Sequence, residues 1–185
     1  AQRTNKMATF MAKWKAECAG QGGHIHISLQ HKDGGCAFYE QDKPLHMSAI
    51  QRHFLAGQQR LMPEIFSLLA PTINSYSRCV PNSWAPTTAS WGVENRSTAL
   101  RGIPGGEHSQ RIENRICAAD ANPYLALAAT IGSGLYGIEH QLEPEAEVTG
   151  NAYASQQETK YILPKTLWEA AQNLKKSHAA QELFG

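Results

Sequence analysis

Two histidines separated by one residue follow a run of glycines in the first part of the chain. His24 and His26 alternate with Ile25 and Ile27, which predicts a half-buried strand with both imidazoles on one face. Imidazole nitrogens bind divalent metal ions, and beside a flexible glycine loop they can also contact an anionic phosphate. Two ordinary surface histidines have the same spacing, so the pair alone leaves both interpretations open.

A second candidate segment combines acidic and basic side chains. Strand periodicity puts Arg111, Glu113 and Arg115 on one face, while Ile112 and Ile116 point into the core. A carboxylate between two guanidinium groups stays ionised and can serve as an oxygen ligand for Mg²⁺ or Mn²⁺. The alternative is a surface ion-pair ladder, which contributes only about 0–1 kcal/mol to stability.

Three further arginines, Arg78, Arg96 and Arg101, lie on neighbouring short segments. Five guanidinium groups in one site repel each other unless the site binds anions, and ATP phosphates with a dicarboxylic amino acid would supply them. Phosphoryl transfer requires such positive charge together with a metal ion that bridges phosphate oxygens. The sequence has no Walker A loop, and Gly132 and Gly134 are interpreted as helix-packing residues.

The elements that position these residues follow from periodicity, caps and turns. In the first part of the chain we predict strands over residues 6–13 and 24–29 and a turn at 32–35. A helix capped by Ser48 is predicted to run to about Leu69 and to be bent or broken at Pro63, and short strands follow between 71 and 116. A second helix, capped by 120–123, is predicted to run to about 140, followed by a polar loop over 141–161 and a last helix over 165–183. Because strands and helices do not alternate regularly, this order predicts an α+β fold with a largely antiparallel curved sheet backed by helices.

Bulk composition argues against several classes of function. The 185 residues carry 17 basic and 16 acidic side chains, a formal net charge of +1, which does not favour a nucleic-acid binder. No apolar run reaches the roughly 20 residues needed to span a bilayer, and residues 1–6 lack the apolar core of a signal peptide. The four cysteines form no CxxC pair and are interpreted as reduced thiols of a cytoplasmic protein.

Several segments together resemble the catalytic domain of the glutamine synthetase family in their order and spacing. They are Gly-Gln-Gly-Gly-His-Ile-His-Ile-Ser-Leu at 20–29, Asn-Ser-Tyr-Ser-Arg at 74–78, Glu-Asn-Arg-Ser-Thr-Ala-Leu-Arg at 94–101, Arg-Ile-Glu-Asn-Arg at 111–115 and Ala-Asn-Pro-Tyr-Leu-Ala at 121–126. The resemblance implies that residues 1–185 form the C-terminal portion of such a domain, with a fold related to that of guanidino kinases. It also implies that the N-terminal β-domain and the first half of the catalytic domain are absent.

The resemblance implies a role for each matching position. The implied metal ligands are His24 and Glu113, and the implied nucleotide-binding residues are His26, Ser28, Arg96 and Arg111. The implied catalytic residues around the transferred phosphoryl group are Arg96 and Arg101, and the implied substrate-binding residues are Gly20, Arg78, Arg101 and Arg115, to which the departure described next adds Trp84. Two Mg²⁺ or Mn²⁺ ions per complete site and ATP as co-substrate are implied as well. The implied reaction first makes γ-glutamyl phosphate from glutamate, and an amine then attacks it.

Two positions depart from the family pattern. Glutamine synthetases carry a flap glutamate within Gly-Tyr-Glu-Ala-Pro, whereas residues 82–86 read Asn-Ser-Trp-Ala-Pro, so Trp84 replaces a carboxylate. An indole cannot accept a proton but can form an apolar or cation–π wall for an alkylammonium ion. We therefore expect an amine larger than ammonia, as in the γ-glutamylpolyamine and γ-glutamylputrescine ligases of this family, although a tryptophan that only packs within a loop is the alternative. The second departure is Ala19, where the family usually has an asparagine that contacts glutamate.

The main hypothesis is a γ-glutamyl–amine ligase whose partners are glutamate, ATP and an amine, with neither nucleic acid nor membrane. Members of this family form double-ring homo-oligomers, which we also expect for the intact protein. Because His24 and Glu113 are too few ligands to bind a metal ion tightly, we expect this chain alone to be inactive. The alternatives are a true glutamine synthetase that uses ammonia and a non-catalytic scaffold. A phosphagen kinase, whose fold is related, lacks the His-x-His strand and the Asn-Pro-Tyr helix start.

Overall fold

The computed structural model describes residues 1–81, 83–154 and 159–185 of the chain. Within these ranges one sheet is formed by β1 (Ile25–Ile27), β2 (Trp91–Val93), β3 (Leu100–Ile103) and β4 (Arg111–Asn114). The α-helices are α1 (Ala49–Leu69), α2 (Ile73–Tyr76), α3 (Pro123–Glu139), α4 (Leu167–Lys176) and α5 (His178–Phe184), and short 3₁₀ helices cover Gln2–Thr4 and Pro44–His46.

The sheet has the strand order β1-β4-β3-β2. β4 pairs antiparallel with both β1 and β3, whereas β2 and β3 are parallel. The predicted α+β fold with a largely antiparallel sheet is therefore confirmed, and the sequence pattern did not reveal the one parallel pair. The strand predicted over residues 24–29 is confirmed as the shorter β1, and the turn at 32–35 is present.

α1 contributes much of the hydrophobic core. Ser48 caps its N-terminus as predicted, because its Oγ accepts a hydrogen bond from the backbone N of Gln51 at 3.1 Å. The helix is continuous through Pro63 and is not broken there. A proline removes one backbone hydrogen bond from a helix and so lowers its stability. Burial of apolar side chains on one face of α1 offsets this loss, and the fully buried ones include Phe54, Leu61, Met62, Ile65 and Phe66.

α3 packs closely against α1 through glycines. The side chain of Asn122 caps the N-terminus of α3, as predicted. A Cβ on Gly137 would lie 2.1 Å from the backbone oxygen of His53, and a Cβ on Gly134 would lie 2.3 Å from the ring of Phe54. Only glycine permits this approach of the two backbones, so the predicted helix-packing role is confirmed at Gly134.

Two segments outside the central core differ from prediction. Residues 6–13 do not form a strand, and Met7 and Phe10 are 94% and 77% exposed, because no neighbouring strand pairs with this segment. The short helix α2 was not predicted. It begins with a capping box, in which Thr72 and Ser75 hydrogen-bond each other's backbone N–H groups with their side chains.

The predicted last helix is two helices that meet at Ser177. This residue has an extended backbone (φ −75°, ψ 114°), and its Oγ accepts a hydrogen bond from Ala180 N at 3.0 Å. The same hydroxyl donates to Glu64 Oε2 at 2.6 Å. Because an N-cap residue cannot also be helical, Ser177 ends α4 and starts α5.

The remaining predictions concern loops and cysteines. The described part of the polar loop predicted over residues 141–161 is irregular, and residues 155–158 of it lie outside the described ranges. The four cysteines are free thiols, as interpreted from their spacing. Across the described ranges, none of the helices is both long enough and apolar enough to cross a membrane.

Candidate active site

The register of the sheet aligns charged residues across three strands. Glu113 on β4 is paired with His26 on β1 and with Arg101 on β3. Because opposite residues in antiparallel strands project from the same face, the three side chains meet on one side of the sheet. On β4 the neighbouring Ile112 is fully buried, so the opposite face belongs to the core, as the sequence predicted.

Glu113 is the centre of this group, and its side chain is only 4% exposed. Its Oε2 accepts a hydrogen bond from Arg101 Nη1 at 2.9 Å, and its Oε1 accepts one from Arg115 Nη1 at 2.8 Å. His24 Nδ1 lies 3.0 Å and His26 Nε2 lies 3.8 Å from the same Oε1. We call these five residues the Glu113 cluster.

The surroundings of Glu113 keep its carboxylate ionised. Burial alone would raise its pKa, but the hydrogen bond from Arg101 and the charge of Arg115 outweigh burial and hold the pKa below its usual value. The predicted carboxylate between two guanidinium groups is therefore present, but the groups belong to Arg115 and Arg101, and the flanking Arg111 contacts His26 and the backbone oxygen of Ser109 instead.

His24 is also held in its deprotonated form, which for an imidazole is the neutral one. Its pKa is lowered, first by burial and then by the charge of Arg115, and contact with Glu113 only partly compensates. A neutral imidazole is the form that binds metal ions. His24 and Glu113 thus offer one nitrogen and one carboxylate to a divalent cation, and the described residues contain no group of three or more potential ligands. The pair fits part of a metal site.

Arg101 extends the cluster towards the turn after β2. Its Nε donates a hydrogen bond to Glu94 Oε2 at 2.9 Å, and its Nη2 contacts the same oxygen. Burial opposes the charge on Arg101, but the hydrogen bonds to Glu94 and Glu113 outweigh it and raise the pKa of the guanidinium group. Arg101 therefore joins two carboxylates through one permanently charged side chain.

Arg111, His26 and Ser28, which the sequence also predicts as site residues, lie on the solvent-exposed side of the Glu113 cluster, which we call its open side. Arg111 Nε lies 3.3 Å from His26 Nδ1, and Arg111 Nη1 donates to the backbone oxygen of Ser109 at 2.8 Å. The side chain of His26 is 46% exposed. Ser28 follows β1 and is also exposed, so these residues are accessible to a ligand.

Arg78 lies under the glycine loop and is 4% exposed. Its Nη1 and Nη2 each donate a 2.9 Å hydrogen bond to the backbone oxygens of Ile116 and Arg115, respectively. A Cβ on Gly22 would lie 2.4 Å from Arg78 Nη2, and one on Gly20 would lie 2.9 Å from Arg78 Cγ. The glycines are therefore needed to admit this arginine.

Arg115 is 6% exposed, and burial lowers the pKa of its guanidinium group. Its Nε is buried and has no hydrogen-bond partner in the described part of the chain. A buried donor without a partner is costly and indicates a place for a ligand acceptor.

A cavity of about 710 Å³ lies beyond Glu94, and we call it the Trp84 cavity. Its walls include the aromatic side chains of Trp84 and Tyr153, the carboxylates of Glu94 and Glu147, and Arg96. The structure therefore divides the predicted site residues between the Glu113 cluster with its neighbours and this cavity, which contains Trp84 and Arg96.

The walls of the Trp84 cavity are joined by hydrogen bonds. The side-chain nitrogen of Asn95 donates to the backbone oxygens of Val148 and Gly150 at 2.9 and 2.8 Å. Tyr153 Oη donates to the backbone oxygen of Ala85 at 3.1 Å. The loop that contains Glu147 is thus attached both to the turn after β2 and to the segment that carries Trp84.

Sequence reasoning did not assign three residues of this region. Glu94 lies within the segment 94–101, where the resemblance implies roles only for Arg96 and Arg101, and Glu147 and Tyr153 lie in the loop predicted over residues 141–161. The signal that could have identified Glu94 is its position directly before Asn95 and Arg96. Its contact with Arg101 depends on the parallel pairing of β2 and β3, which the pattern did not predict.

Several known proteins are similar to this chain in sequence. The chain is 42% identical over 177 residues to a glutamate–isopropylamine ligase of a Pseudomonas species, 42% over 182 residues to a type-1 glutamine synthetase of Dictyostelium discoideum, and 44% over 154 residues to a γ-glutamylputrescine synthetase of Escherichia coli. These alignments cover 96%, 97% and 82% of the chain but 39%, 35% and 32% of the relatives. The chain therefore spans about two fifths of the length of these relatives, or less.

A solved structure shares the fold. The complex of GmaS with ADP superposes with a TM-score of 0.88 and 31% sequence identity, covering 100% of this chain and 43% of that chain. The family model described as the glutamine synthetase catalytic domain matches residues 1–185. The resemblance inferred from the motifs is confirmed, and this chain belongs to the glutamine synthetase family, within its catalytic domain.

Proposed function

We propose that this chain is the C-terminal catalytic portion of an ATP-dependent ligase that joins the γ-carboxylate of glutamate to an amine larger than ammonia. The observation that carries the proposal is the series of contacts Glu113–Arg101–Glu94, which connects the Glu113 cluster to the Trp84 cavity. An amine in that cavity would lie beside the transferred group, and such positioning lowers the barrier to reaction.

The metal and nucleotide are assigned to the Glu113 cluster and its open side. The ionised Glu113 and the neutral His24 would hold Mg²⁺ or Mn²⁺, which when bound neutralises charge on phosphate oxygens. The accessible side chains of His26, Ser28 and Arg111 would contact the phosphates of ATP. The ADP in the related GmaS complex supports a nucleotide as co-substrate.

The transferred phosphoryl group is assigned to Arg96 and Arg101. Arg101 is held by Glu94 and Glu113, so its guanidinium group is oriented before any substrate binds. Arg96 is exposed in the wall of the Trp84 cavity, where a phosphate could reach it. Preorganised positive charge of this kind stabilises the charge that develops during phosphoryl transfer.

Glutamate is assigned to the region below the glycine loop. The unpartnered Nε of Arg115 would donate to a carboxylate oxygen of glutamate. Arg78 holds the backbone of residues 115 and 116 and would add positive charge to the same pocket. Gly20, which packs on Arg78, would leave space for the amino acid.

The amine is assigned to the Trp84 cavity. Its nitrogen would attack the γ-carbonyl carbon of γ-glutamyl phosphate, so that a C–N bond forms while the C–O bond to phosphate breaks. Inorganic phosphate leaves with that bonding pair, and the amine loses a proton. The indole of Trp84 is 71% exposed and would lie against the alkyl part of the amine.

We expect this chain by itself to be inactive. Octahedral Mg²⁺ requires more ligands than His24 and Glu113 provide, and the described residues supply no third one. For the intact protein we propose a double-ring homo-oligomer in the cytoplasm with two metal ions per complete site.

The test is ADP release by the full-length gene product with ATP, Mg²⁺ or Mn²⁺, glutamate and one of several amines. We expect faster turnover with ethylamine, isopropylamine or putrescine than with ammonium, and none when glutamate is omitted or the metal is chelated. Preference for ammonium would identify a true glutamine synthetase instead. No glutamate-dependent ADP release with any amine would contradict the ligase and favour a scaffold.

A further inference from the structure

Glu94 has an unusual backbone conformation in the turn that follows β2. Its backbone has φ 51°, in the left-handed region that side chains rarely adopt. The position is fixed, because Glu94 N donates a 2.9 Å hydrogen bond to the backbone oxygen of Gly102 on β3. Trp84, in another wall of the same cavity, also has a positive φ of 59°. Strained residues of this kind cluster at ligand sites, where the surrounding structure maintains them.

The carboxylate of Glu94 is only partly used by the protein. Both contacts from Arg101 go to Oε2. Within the described ranges, Oε1 accepts no hydrogen bond, and the side chain is 50% exposed in the cavity wall. Glu94 therefore has an acceptor oxygen available to a ligand while Arg101 fixes the orientation of the other.

The charge and chemistry of the cavity favour a cation. Glu94 and Glu147 place two carboxylates in the lining beside one guanidinium group, Arg96, and Arg101 pairs with only one oxygen of Glu94. Trp84 and Tyr153 add aromatic surface, which attracts organic cations through the ring face. An alkylammonium ion matches both the available carboxylate oxygen and the aromatic surface.

We propose that Glu94 is the carboxylate that binds the ammonium group of the amine substrate, while Trp84 covers its alkyl part. This inference rests on the proposed ligase function and adds a specificity-determining residue to it. The protonated amine is recognised before it loses its proton, and it is recognised next to Arg101, which contacts the Glu113 cluster through the same guanidinium group.

Glu147 is the other candidate carboxylate, and its setting is less suitable. Its Oε1 accepts only a long hydrogen bond, 3.4 Å, from Val93 N, and it lies on an irregular loop. Glu94 instead follows a strand directly and contacts Arg101. The carboxylate nearer to the transferred group is therefore Glu94.

The test is a kinetic comparison of the full-length gene product with its Glu94→Gln variant. We expect the KM for ethylamine to rise on the order of 10-fold, because a charge-assisted hydrogen bond is lost. The KM values for glutamate and ATP should stay within about twofold, since the amide oxygen that replaces the carboxylate can still accept a hydrogen bond from Arg101. Glu182→Gln, on the exposed face of α5, is the matched control and should leave all three KM values unchanged.

A second amine separates recognition of charge from a structural effect. Methoxyamine is neutral at pH 7, so its KM should change little in Glu94→Gln. Equal increases for ethylamine and methoxyamine, or increases in the KM for ATP as large as that for ethylamine, would overturn the inference. If the wild type turns over ethylamine and Glu94→Gln keeps its KM, the inference is wrong while the proposed function stands. If the wild type releases no ADP with any amine, both are wrong.

Discussion

The Glu113 cluster and the Trp84 cavity adjoin each other but are built from different parts of the fold. The cluster is based on paired strands, and its Glu113 and Arg115 are both at most 6% exposed. The cavity is formed by turns and loops, and its aromatic wall, Trp84, is 71% exposed. A rigid sheet suits chemistry that needs fixed charges, whereas loops tolerate the changes of shape that alter substrate choice.

The largest effect should follow from removing the central carboxylate. Glu113→Gln leaves the buried guanidinium groups of Arg101 and Arg115 without their shared counter-ion. We expect the free energy of unfolding of this chain to fall by about 3–5 kcal/mol, measured by urea denaturation. Glu182→Gln, an exposed residue on α5, should stay within about 0.5 kcal/mol of the wild type. A loss of stability no larger than that of the control would show that the cluster is not held by Glu113.

The second effect tests the packing of the glycine loop on Arg78. Gly22→Ala places a Cβ 2.4 Å from Arg78 Nη2, and Arg78 cannot easily move because two backbone oxygens hold it. We expect a loss of about 1–3 kcal/mol in urea denaturation. Gly106→Ala is the matched control, because nothing lies within 4 Å of its added Cβ. Equal stability of the two variants would mean that the loop is not packed as described.

The third effect should separate the cavity from the cluster. Trp84→Ala should leave the stability of this chain nearly unchanged, because the indole is mostly exposed. In the full-length gene product it should raise the KM for ethylamine on the order of 10-fold through loss of the cation–π and apolar wall. Trp168→Ala removes an equally exposed indole, 74%, from α4 and is the control for both measurements. A large loss of stability in Trp84→Ala would instead make this residue part of the core.

The smallest expected effect is a dependence of stability on pH. The pKa of His24 is lower in the folded chain than its usual 6.5, so below pH 6.5 the unfolded chain binds more protons at this residue. The free energy of unfolding should therefore decrease as the pH falls through and below 6.5, and His24→Gln should remove that part of the decrease. Urea denaturation of the metal-free chain at several pH values measures it. An unchanged pH dependence in His24→Gln would contradict the neutral imidazole.

Local signals in the sequence predicted which faces of the two strands carry the charged residues, whereas the grouping of His24 with Glu113 was implied only by the family resemblance. The alternation around His24 and His26 gave the exposed face of β1, and the same period gave the outward face of β4. Ser48 and Asn122 carry their own cap chemistry, so the starts of α1 and α3 were also predictable. The two caps in particular depend on interactions within a few residues along the chain.

Contacts between distant segments explain what was missed. The role of Glu94 depends on a parallel strand pair, and the Trp84 cavity depends on hydrogen bonds from Asn95 to Val148 and Gly150, more than fifty positions away. The predicted strand at residues 6–13 failed for the converse reason, since a favourable local pattern found no strand to pair with. The pattern of one segment does not reveal which other segment it will contact.

The hydrogen bonds from Asn95 to the loop around residues 148–150 also bear on how such a protein can diversify. They attach one wall of the Trp84 cavity to a turn at the edge of the sheet rather than to β4. Mutations in that loop can accumulate without disturbing the buried charges of the Glu113 cluster. Under the proposed function, descendants of one ancestral ligase can therefore exchange one nitrogen donor for another while their ATP chemistry is inherited unchanged.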